Sequence, residues 1–386
     1  MKTNVLLASN TCGATKEVIQ SSVPKAILQN SIVSPCPDEI SSLAADVLPK
    51  TAVVVLNWNR AVDTIECLNS LLPAVAAGLG TLVCCDNASS DDSIAVLEFW
   101  GRQHFPEFLS GAVSVAAPRR SGGGEFVLLR TERNGGYAAG NNAALAYLLS
   151  QDRYQFIWLL NNDTVVEADA LPKLLDYAMR YLRAGAIGST LVDYYNRESL
   201  QCAGGCRYLP AFTLMWNVLG GRPLREALQY RGTVRLDYVH GAAMLLSVPA
   251  ITEVGLLDER FFLYYEEADY ARRLQARGYE LAWCRDSVVY HKGAVSTGGR
   301  ATSNRRESNL ANYHENLSTL LFTWLHYPHL LPLAAGFRLV MKTVVFLLFR
   351  RGYLFKPLFM AYRDFVQLRR QKAQPLTAEV LFHGIG

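Results

Sequence analysis

The sequence predicts an α/β fold in which helices cover both faces of a mostly parallel central sheet. Hydrophobic residues make up 50% of the 386-residue chain, so material for a large core is available. Between residues 51 and 182, four strand patterns are each followed by a helix pattern. Successive βα units form parallel sheets, and such sheets bind ligands beyond the carboxyl ends of their strands. A ligand site is therefore expected at that edge.

The four predicted strands are short apolar runs, and the segments that follow them have helical spacing. The strands are TAVVVLN (51–57), TLVCCD (81–86), FVLLRTE (126–132) and FIWLL (156–160). The helices that follow them are TIECLNSLL (64–72), SIAVLEFW (93–100), AAGNNAALAYLLS (138–150) and ALPKLLDYAMRYL (170–182). The Gly-rich basic segment APRRSGGGE (117–125) is expected to form a surface loop before the third strand.

The second half of the chain is less regular. Strands are predicted at TVRLDYV (233–239) and AAMLLSV (242–248), with two further short strands at ELAWC (280–284) and SVVYH (287–291). The segment EEADYARRLQARG is a predicted helix that stops at Gly278, because glycine is common at helix C-termini.

Small polar residues stand at the carboxyl end of each of the first four strands. The run FIWLL ends on Asn161, Asn162 and Asp163, which a buried core would exclude. Each such residue alone is typical of a turn, but four neighbouring strand ends of this kind indicate a polar crevice for a base and a ribose. The other members of the set are Asn57, Asn59, Asp86, Asn87 and the segment from Asn134 to Gly136.

The segment RNGGYAAGNN (133–142) allows two interpretations. Its glycines match neither the dinucleotide-binding nor the P-loop signature. It can be a strand-to-helix turn that needs a positive φ. It can also be a loop where backbone N–H groups and Asn141 approach a sugar or diphosphate at a helix N-terminus.

Two residues are candidates for binding a divalent cation. Mg²⁺ or Mn²⁺ prefers carboxylate, water and phosphate oxygens, so a cation would keep Asp163 ionised in a cleft. His291 ends the apolar run SVVYH and is a candidate second ligand, although a single histidine at a strand end is commonly structural.

Three acids, Glu266, Glu267 and Asp269, lie at the start of a predicted helix, directly after Tyr264 and Tyr265. They can simply favour the helix dipole, and Asp269 can pair with an arginine one turn later. Crowded carboxylates also raise one another's pKa, which suits a general base at the edge of a cleft.

The composition argues against several other classes. A net charge of +4 is too small to indicate nucleic-acid binding. Among the eight cysteines, Cys84 and Cys85 suit reduced core thiols, and the pair Cys202 and Cys206 lacks the second pair that a zinc site needs. No signal-peptide pattern opens the chain, and residues 1–48 are expected to be a poorly ordered extension. Cytoplasmic conditions are expected.

The C-terminal region is both basic and apolar. Between Arg338 and Lys372 there are nine Lys or Arg residues and one acid, Asp364, interleaved with Phe, Leu and Tyr. This pattern indicates helices that lie on a membrane surface. Two alternatives stay open: a membrane-spanning helix, which Pro328 and Pro332 would interrupt, and an amphipathic pair that packs back on the α/β domain.

Six segments, in order along the chain, together resemble the inverting glycosyltransferases of family 2, and especially their rhamnosyltransferase-like members. The resemblance covers residues 51 to about 300, and it implies a GT-A catalytic domain over 49–305 followed by a helical, membrane-associating region over 306–386. The matching segments are VVVLNWNR, CCDNASSDDS, ERNGGYAAGNNAAL, WLLNNDTVV, GAAMLLSVPAITEVGLLDERFFLYYEEADYARRLQARGY and VVYHKGAVSTG.

The resemblance also implies roles for individual residues. Asp163 stands at the metal-binding member of the family's Asp-x-Asp motif, His291 at its downstream metal-ligating histidine, and Glu267 at its catalytic base. The nucleoside is expected at Asn57, Asn59, Asp86 and Asn87, and the rest of the donor at Asn134, Gly136, Asn141 and Asn162. Two positions depart from the family pattern: the metal motif reads Asn-Asn-Asp, and the acid pair reads Glu-Glu, which leaves the choice of base among neighbouring acids open.

The resemblance implies an inverting transfer that depends on Mg²⁺ or Mn²⁺. The donor would be a nucleotide-diphosphate sugar, with dTDP-rhamnose first and a UDP-sugar second. The acceptor would be a lipid-linked glycan at the cytoplasmic face of the inner membrane. Two other functions stay open: a metal-dependent nucleotidyltransferase, and a non-catalytic sugar- or lipid-binding component of a polysaccharide assembly complex.

Overall fold

A computed structural model describes residues 50–105, 108–112, 126–293 and 305–370. The expected N-terminal extension, residues 1–48, and the expected surface loop, residues 117–125, lie outside the described residues. The described part contains two β-sheets and a series of helices that surround the larger sheet.

The strands of the described part are short, apart from two long ones in the second half of the chain. They are β1 (Thr51–Asn57), β2 (Thr81–Asp86), β3 (Leu109–Ala112), β4 (Phe126–Arg130), β5 (Phe156–Asn161), β6 (Thr164–Val166), β7 (Ala184–Asp193), β8 (Leu200–Ala203), β9 (Gly205–Leu209), β10 (Leu214–Asn217), β11 (Tyr238–Val239), β12 (Ala243–Ser247) and β13 (Glu280–His291).

The α-helices follow the βα alternation in the first half of the chain, and three of them close the described part. They are α1 (Ala61–Ala76), α2 (Ser93–His104), α3 (Gly136–Ser150), α4 (Ala170–Arg180), α5 (Leu224–Gln229), α6 (Val248–Val254), α7 (Glu266–Ala276), α8 (Arg305–His326), α9 (Leu331–Leu348) and α10 (Phe355–Arg370).

The larger sheet has the strand order β3-β4-β2-β1-β5-β12-β7-β13-β6, with β8 added beside β7. All pairings from β3 to β5 are parallel, and so is the pairing of β7 with β13. Strand β12 runs antiparallel between β5 and β7. The prediction of an α/β fold with a mostly parallel central sheet is confirmed.

Helices pack on both faces of this sheet because alternate residues of its strands point to opposite faces. Val53 and Val55 of β1 pack in a core with residues of α1, α2 and α4. Ala52 and Val54 of the same strand pack in a second core with residues of α3, α6 and α7. This parallel half-sheet, buried on both sides, carries the predicted ligand edge.

Three predictions from the second half of the chain need correction. The segments 280–284 and 287–291 are not separate strands but one strand, β13, whose register with β7 shifts between Cys284 and Val288. A bulge of this kind keeps a strand continuous while re-aiming its side chains. Within 233–239, only Tyr238 and Val239 form a strand.

A small three-stranded sheet of order β10-β9-β11 lies beside the larger one. Its β9–β10 hairpin carries the exposed side chains of Leu214, Met215 and Trp216. Cys206 lies on β9 of this hairpin and Cys202 lies on β8, and both are buried free cysteines.

Of the last three helices, α8 contacts the α7 region of the domain directly. His326 Nε2 lies 2.7 Å from Asp269 Oδ1 on α7, and Ser318 Oγ donates to the carbonyl of Leu263 at 2.9 Å. Helix α9 is attached by the buried Arg338, which donates to Asn316 Oδ1 on α8 at 2.7 Å. The C-terminal helices therefore contact the α/β domain, which the sequence analysis left open as an alternative to membrane-surface helices, and much of α9 stays exposed.

Candidate functional site

The carboxyl ends of the first four predicted strands are neighbours in the sheet. Strand β1 lies between β2 and β5, and β4 lies beside β2. Asn57 is in register with Asp86, and Leu56 with Asn161. The polar residues that follow these strands therefore meet along one edge, as parallel pairing requires.

A chain of hydrogen bonds runs along this edge from the end of β5 to the end of β2. Asn162 Nδ2 donates to Thr64 Oγ1 at 3.0 Å, and Thr64 Oγ1 donates to Asn57 Oδ1 at 2.6 Å. Asn57 Nδ2 then donates to Asp86 Oδ2 at 2.7 Å. All four side chains are buried. Thr64 was assigned no role from the sequence, where it is only the first residue of the predicted helix TIECLNSLL.

Asp86 is fully buried, and both of its carboxylate oxygens accept hydrogen bonds inside the protein. Oδ1 accepts from the Ser89 amide at 2.9 Å, and Oδ2 accepts from Ser89 Oγ at 2.6 Å. The carboxylate thus orders the loop after β2. Asn59 continues this loop contact: it has a positive φ of 53°, and its Oδ1 accepts from the Ser90 amide at 2.7 Å.

Asn87 connects the crevice to the segment that precedes α3. Its Nδ2 donates to Asn134 Oδ1 at 2.9 Å and to the Gly136 carbonyl at 3.0 Å. Asn134 Oδ1 also accepts from the Gly136 amide at 2.9 Å. This network holds the start of α3 against the ends of β1 and β2.

Gly136 has a φ of +83°, and a Cβ at this position would lie 2.0 Å from the carbonyl oxygen of Phe262. The amide of the next residue, Tyr137, donates to that carbonyl at 2.8 Å. The interpretation of RNGGYAAGNN as a turn that needs a positive φ is confirmed at Gly136. Farther along α3, Asn141 Oδ1 is buried and has no hydrogen-bond partner among the described residues.

Asp163 and His291 meet at the far side of this edge. His291 Nε2 lies 3.3 Å from Asp163 Oδ1, and both side chains are buried. His291 Nδ1 lies 2.7 Å from Gln201 Oε1, an acceptor, which assigns the imidazole proton to Nδ1. The lone pair of Nε2 then faces the carboxylate, and Nε2 makes no hydrogen bond within the described part.

An imidazole lone pair facing a carboxylate oxygen is the arrangement that a cation between them would satisfy. Gln201 acts on His291 as the outer partners of metal-bound histidines do, by fixing the tautomer. The pair therefore fits a divalent cation. Within the described ranges, Asp163 and His291 belong to no group of three or more His, Cys, Asp or Glu side chains, so the remaining ligands would come from the substrate and water.

Two residues beside this pair were assigned no role from the sequence. The ring of His240 lies 5.6 Å from that of His291, and burial lowers the pKa of His240 to about 3. Lys292 donates its amide to the Asp163 carbonyl at 2.9 Å, and its ammonium lies 2.6 Å from both Asp63 and Glu66 on α1. Lys292 thereby ties the end of β13 to the helix that carries Thr64.

The acid pair at the start of α7 is held at elevated pKa values. Burial raises the pKa of Glu267 to about 7, and burial together with the charge of Glu267 raises that of Glu266 well above its usual range. Oε2 of each residue is buried without a hydrogen-bond partner among the described residues. Crowding alone was the expected cause, whereas loss of water contributes more here.

Asp269 differs from the two glutamates. Its Oδ2 lies 2.7 Å from Arg273 Nε, one turn later on α7, and its Oδ1 lies 2.7 Å from His326 of α8. These partners hold its pKa below the usual range although burial opposes them. Asp269 therefore joins α7 to α8, and its carboxylate is already paired.

Two consecutive residues, His240 and Gly241, lie between the Asp163–His291 pair and the Glu267 carboxylate. A Cβ at Gly241 would lie 3.8 Å from Glu267 Oε1 and 3.4 Å from the Tyr137 hydroxyl. Tyr137 donates that hydroxyl to the Gly241 carbonyl at 2.7 Å. His240, the preceding residue, contacts His291. In the segment before β12, Gly241 thus lies near the carboxylate of Glu267, whose pKa is raised, and His240 lies beside the candidate cation site.

Residues 49–309 match the family model described as glycosyltransferase like family 2. This match covers more than half of the chain.

Two relatives are similar over part of the chain. The "N-acetylglucosaminyl-diphospho-decaprenol L-rhamnosyltransferase" of Mycobacterium tuberculosis is 29% identical over 213 residues, which is 50% of this chain and 66% of that protein. The "Low-salt glycan biosynthesis hexosyltransferase Agl10" of Haloferax volcanii is 26% identical over 164 residues, which is 42% of this chain and 50% of that protein. The chain thus spans between half and two-thirds of the length of these relatives.

Among solved structures, the chain is similar to a mannosyltransferase from Pyrobaculum calidifontis that was crystallised with GDP-Man and Mn²⁺. The TM-score is 0.47 and the sequence identity is 13%. The similarity covers 83% of this chain and 88% of that one.

The contact between Gly136 and Phe262 leads to a testable prediction. Gly136→Ala should lower the melting temperature by much more than its positive φ alone explains, because the new methyl group would also displace the start of α3. Gly278→Ala is the matched control: Gly278 has the same φ of +83° but open space around its Cβ position. The control should cost about 1–2 kcal/mol of stability. Equal losses of stability in the two variants would contradict the prediction, and thermal unfolding measures them.

Proposed function

Because this chain belongs to glycosyltransferase family 2, with the GT-A architecture of that family, we propose that it transfers a sugar with inversion from a nucleotide diphosphate to a lipid-linked acceptor. The observation that carries the proposal is closeness: the Glu267 carboxylate lies near Gly241, and the preceding residue, His240, lies beside His291 of the Asp163–His291 pair. The catalytic domain would be residues 49–305. Family membership decides against a nucleotidyltransferase.

The donor nucleoside is assigned to the crevice between the ends of β1 and β2. Asn57 and Asp86 form its buried wall, while Asn59 and Asn87 belong to the loops at its rim. The diphosphate and sugar are assigned to the start of α3, near Asn134, Gly136 and Asn141, with Asn162 below them. Asn141 Oδ1, which is buried and has no partner among the described residues, supports this assignment, because it is an acceptor that a sugar hydroxyl could satisfy.

Mg²⁺ or Mn²⁺ is assigned to Asp163 and His291. When bound there, such a cation would neutralise the charge that develops on the departing nucleoside diphosphate. Gln201 orients His291, and Lys292 holds the backbone of Asp163 in place. A site with one carboxylate and one imidazole depends on the diphosphate for further oxygen ligands.

Glu267 is assigned as the general base. Its carboxylate would take the proton from the acceptor hydroxyl while the hydroxyl oxygen forms a bond to the anomeric carbon and the bond to the diphosphate breaks. A single displacement of this kind inverts the configuration. A pKa of about 7 suits this role, because a general base works best when its pKa lies near the working pH.

Rhamnose, from dTDP-rhamnose, is the first candidate for the transferred sugar, and a hexose from a UDP-sugar is the second. The similarity to a mycobacterial L-rhamnosyltransferase supports rhamnose. The similarity to a haloarchaeal hexosyltransferase supports the wider class of hexoses. The acceptor of the mycobacterial protein, as its name states, is a sugar on a lipid diphosphate. An acceptor of that class is proposed here.

The C-terminal helices are proposed to lie on the cytoplasmic face of the membrane. Segment Pro328–Leu348 is long and apolar enough to span a membrane, and 22% of it is buried. Arg338 opposes a spanning arrangement, because its contacts with Asn316 and Glu315 keep α9 on the domain. The exposed apolar stripe of α9 has helical spacing and comprises Leu333, Val340, Met341, Val344, Leu347 and Leu348.

Two further features extend this stripe. Phe337 of α9 contacts Phe212, 5.0 Å away, which joins the stripe to the exposed apolar β9–β10 hairpin. Exposed basic residues border it at Arg350, Arg351 and Lys356. An apolar surface with a basic border suits anionic lipid.

The proposed activity predicts release of a nucleoside diphosphate in a metal-dependent way. Incubation with a panel of nucleotide sugars and Mg²⁺ or Mn²⁺ should release dTDP from dTDP-rhamnose faster than UDP from UDP-hexoses, and EDTA should stop the reaction. His291→Ala should weaken Mn²⁺ binding in the presence of the nucleotide by at least about tenfold. The exposed His329→Ala serves as control and should bind Mn²⁺ normally. Absence of any release would instead favour a non-catalytic binding protein.

Glu267→Gln should lower kcat by about 10²–10⁴-fold while donor affinity stays nearly unchanged. Glu266→Gln is the matched control, because burial and the charge of Glu267 raise the pKa of Glu266 well above its usual range, and glutamine mimics the protonated form. It should retain activity within about threefold. In the wild type, kcat/KM should rise about tenfold per pH unit below pH 7 and level off above it, as Glu267 loses its proton. Activity of Glu267→Gln close to that of wild type would exclude this base.

Membrane binding should depend on the exposed stripe of α9. Leu347→Glu/Leu348→Glu should reduce flotation with vesicles that contain phosphatidylglycerol by at least about tenfold, since two apolar side chains of the stripe leave the lipid. Val62→Glu/Phe99→Glu places the same charges on exposed apolar positions of α1 and α2 and should float like wild type. Equal flotation of both variants would contradict the proposed surface.

A further inference from the structure

A cleft of about 600 Å³ lies beside the candidate site and has no role in the proposed function. Its walls are two chain segments, residues 196–199 after β7 and residues 221–228, which include the start of α5. A backbone bridge joins Ser199 to Pro223 and holds the two segments together. The cleft is therefore built by the fold rather than by one mobile loop.

Arginine side chains dominate the charge of this cleft. Arg197, Arg222 and Arg225 line it together with one acid, Glu198, so the lining carries an excess of two positive charges. Within the described residues, Arg222 and Arg225 have no carboxylate partner. Arg197 is held by stacking, since its guanidinium lies 4.6 Å from the ring centre of Tyr290 and 5.6 Å from that of Tyr194.

Unpaired guanidinium groups on a concave surface are suited to a phosphate. The planar guanidinium presents paired N–H donors that match phosphate oxygens, and such charge-assisted bonds are stronger than neutral ones. Stacking on two tyrosines orients Arg197 in advance, which lowers the entropy lost when it binds an anion.

Both walls of the cleft are attached to residues that contact His291. The Tyr194 amide donates to the His291 carbonyl at 3.1 Å, at the start of the first wall. In the second wall, the Gly221 amide donates to the Leu200 carbonyl at 2.8 Å, and the next residue, Gln201, holds the His291 ring. The cleft and the candidate cation site therefore share the segments that shape them.

We infer that this cleft binds the phosphate groups of the acceptor, a sugar linked to a lipid diphosphate. The inference rests on the proposed function, because it concerns the second substrate of the same reaction. The donor diphosphate is assigned to the start of α3 and to the cation at Asp163 and His291, none of which lines the arginine cleft, so the cleft is a second anion site. Two separate anion sites would hold the donor and acceptor diphosphates apart while the acceptor hydroxyl reaches the anomeric carbon.

The test compares binding of farnesyl diphosphate, farnesol and inorganic pyrophosphate to the full-length chain by titration calorimetry in EDTA, which removes metal-dependent binding at the donor site. Arg222→Ala/Arg225→Ala should weaken farnesyl diphosphate binding by about tenfold or more. Arg102→Ala/Arg180→Ala is the control, because it removes two exposed helical arginines and the same charge. It should bind farnesyl diphosphate like wild type.

Three outcomes would overturn the inference. Equal farnesyl diphosphate affinity in both double variants would show that the arginines do not bind it. Farnesol binding as tight as that of farnesyl diphosphate would assign the ligand to an apolar surface. Pyrophosphate binding as tight as that of farnesyl diphosphate would make the cleft a site for free phosphate compounds.

A separate measurement keeps this test apart from the proposed function. Release of the nucleoside diphosphate from the donor in water, without any acceptor, should be the same in wild type and in Arg222→Ala/Arg225→Ala. Unequal release would also overturn the inference, because it would place the arginines at the donor. No release by wild type would contradict the proposed function, whatever farnesyl diphosphate does.

Discussion

The site depends on one buried chain of hydrogen bonds that runs across the ends of parallel strands. Asn162, Thr64, Asn57 and Asp86 are polar side chains without access to water, and each would be costly to bury alone. Each finds a partner in the next, so the four become a rigid floor rather than a defect in the core. The floor orders the loops after β1 and β2, and through Asn87 it also positions the start of α3.

The second half of the chain completes this floor from the opposite side. Strand β13 stays continuous through its bulge. Its last residue is His291, whose Nε2 lies 3.3 Å from Asp163 Oδ1. Lys292 then joins the strand end to two acids of α1, the helix that also carries Thr64. The candidate cation pair is thus held by the same helix that supports the polar crevice at the ends of β1 and β2. On α7, burial raises the pKa of Glu267 to about 7, so this carboxylate keeps its proton up to about neutral pH.

The exposed surfaces of the molecule differ in chemistry. The apolar stripe of α9 and the β9–β10 hairpin are exposed and are joined by the contact of Phe337 with Phe212. In the proposed reaction, a nucleotide sugar would enter at the strand ends. The arginine cleft lies on segments that contact His291. Under the proposed function, a lipid-linked acceptor would meet apolar, cationic and catalytic surfaces in one molecule.

The sequence by itself determined the elements with strong local patterns. Strands β1, β2, β4 and β5, the polar residues after them and the acid-rich start of α7 could all be located from the sequence, because their signals lie within a few neighbouring residues. Strand β3 was not predicted. Tertiary structure alone decided the roles of Thr64, Gln201, His240 and Lys292. Their partners lie far away in the chain: Lys292, for example, pairs with Asp63, which lies 229 residues earlier. The continuity of β13 and the paired state of Asp269 likewise depend on contacts with distant segments, which no local pattern records.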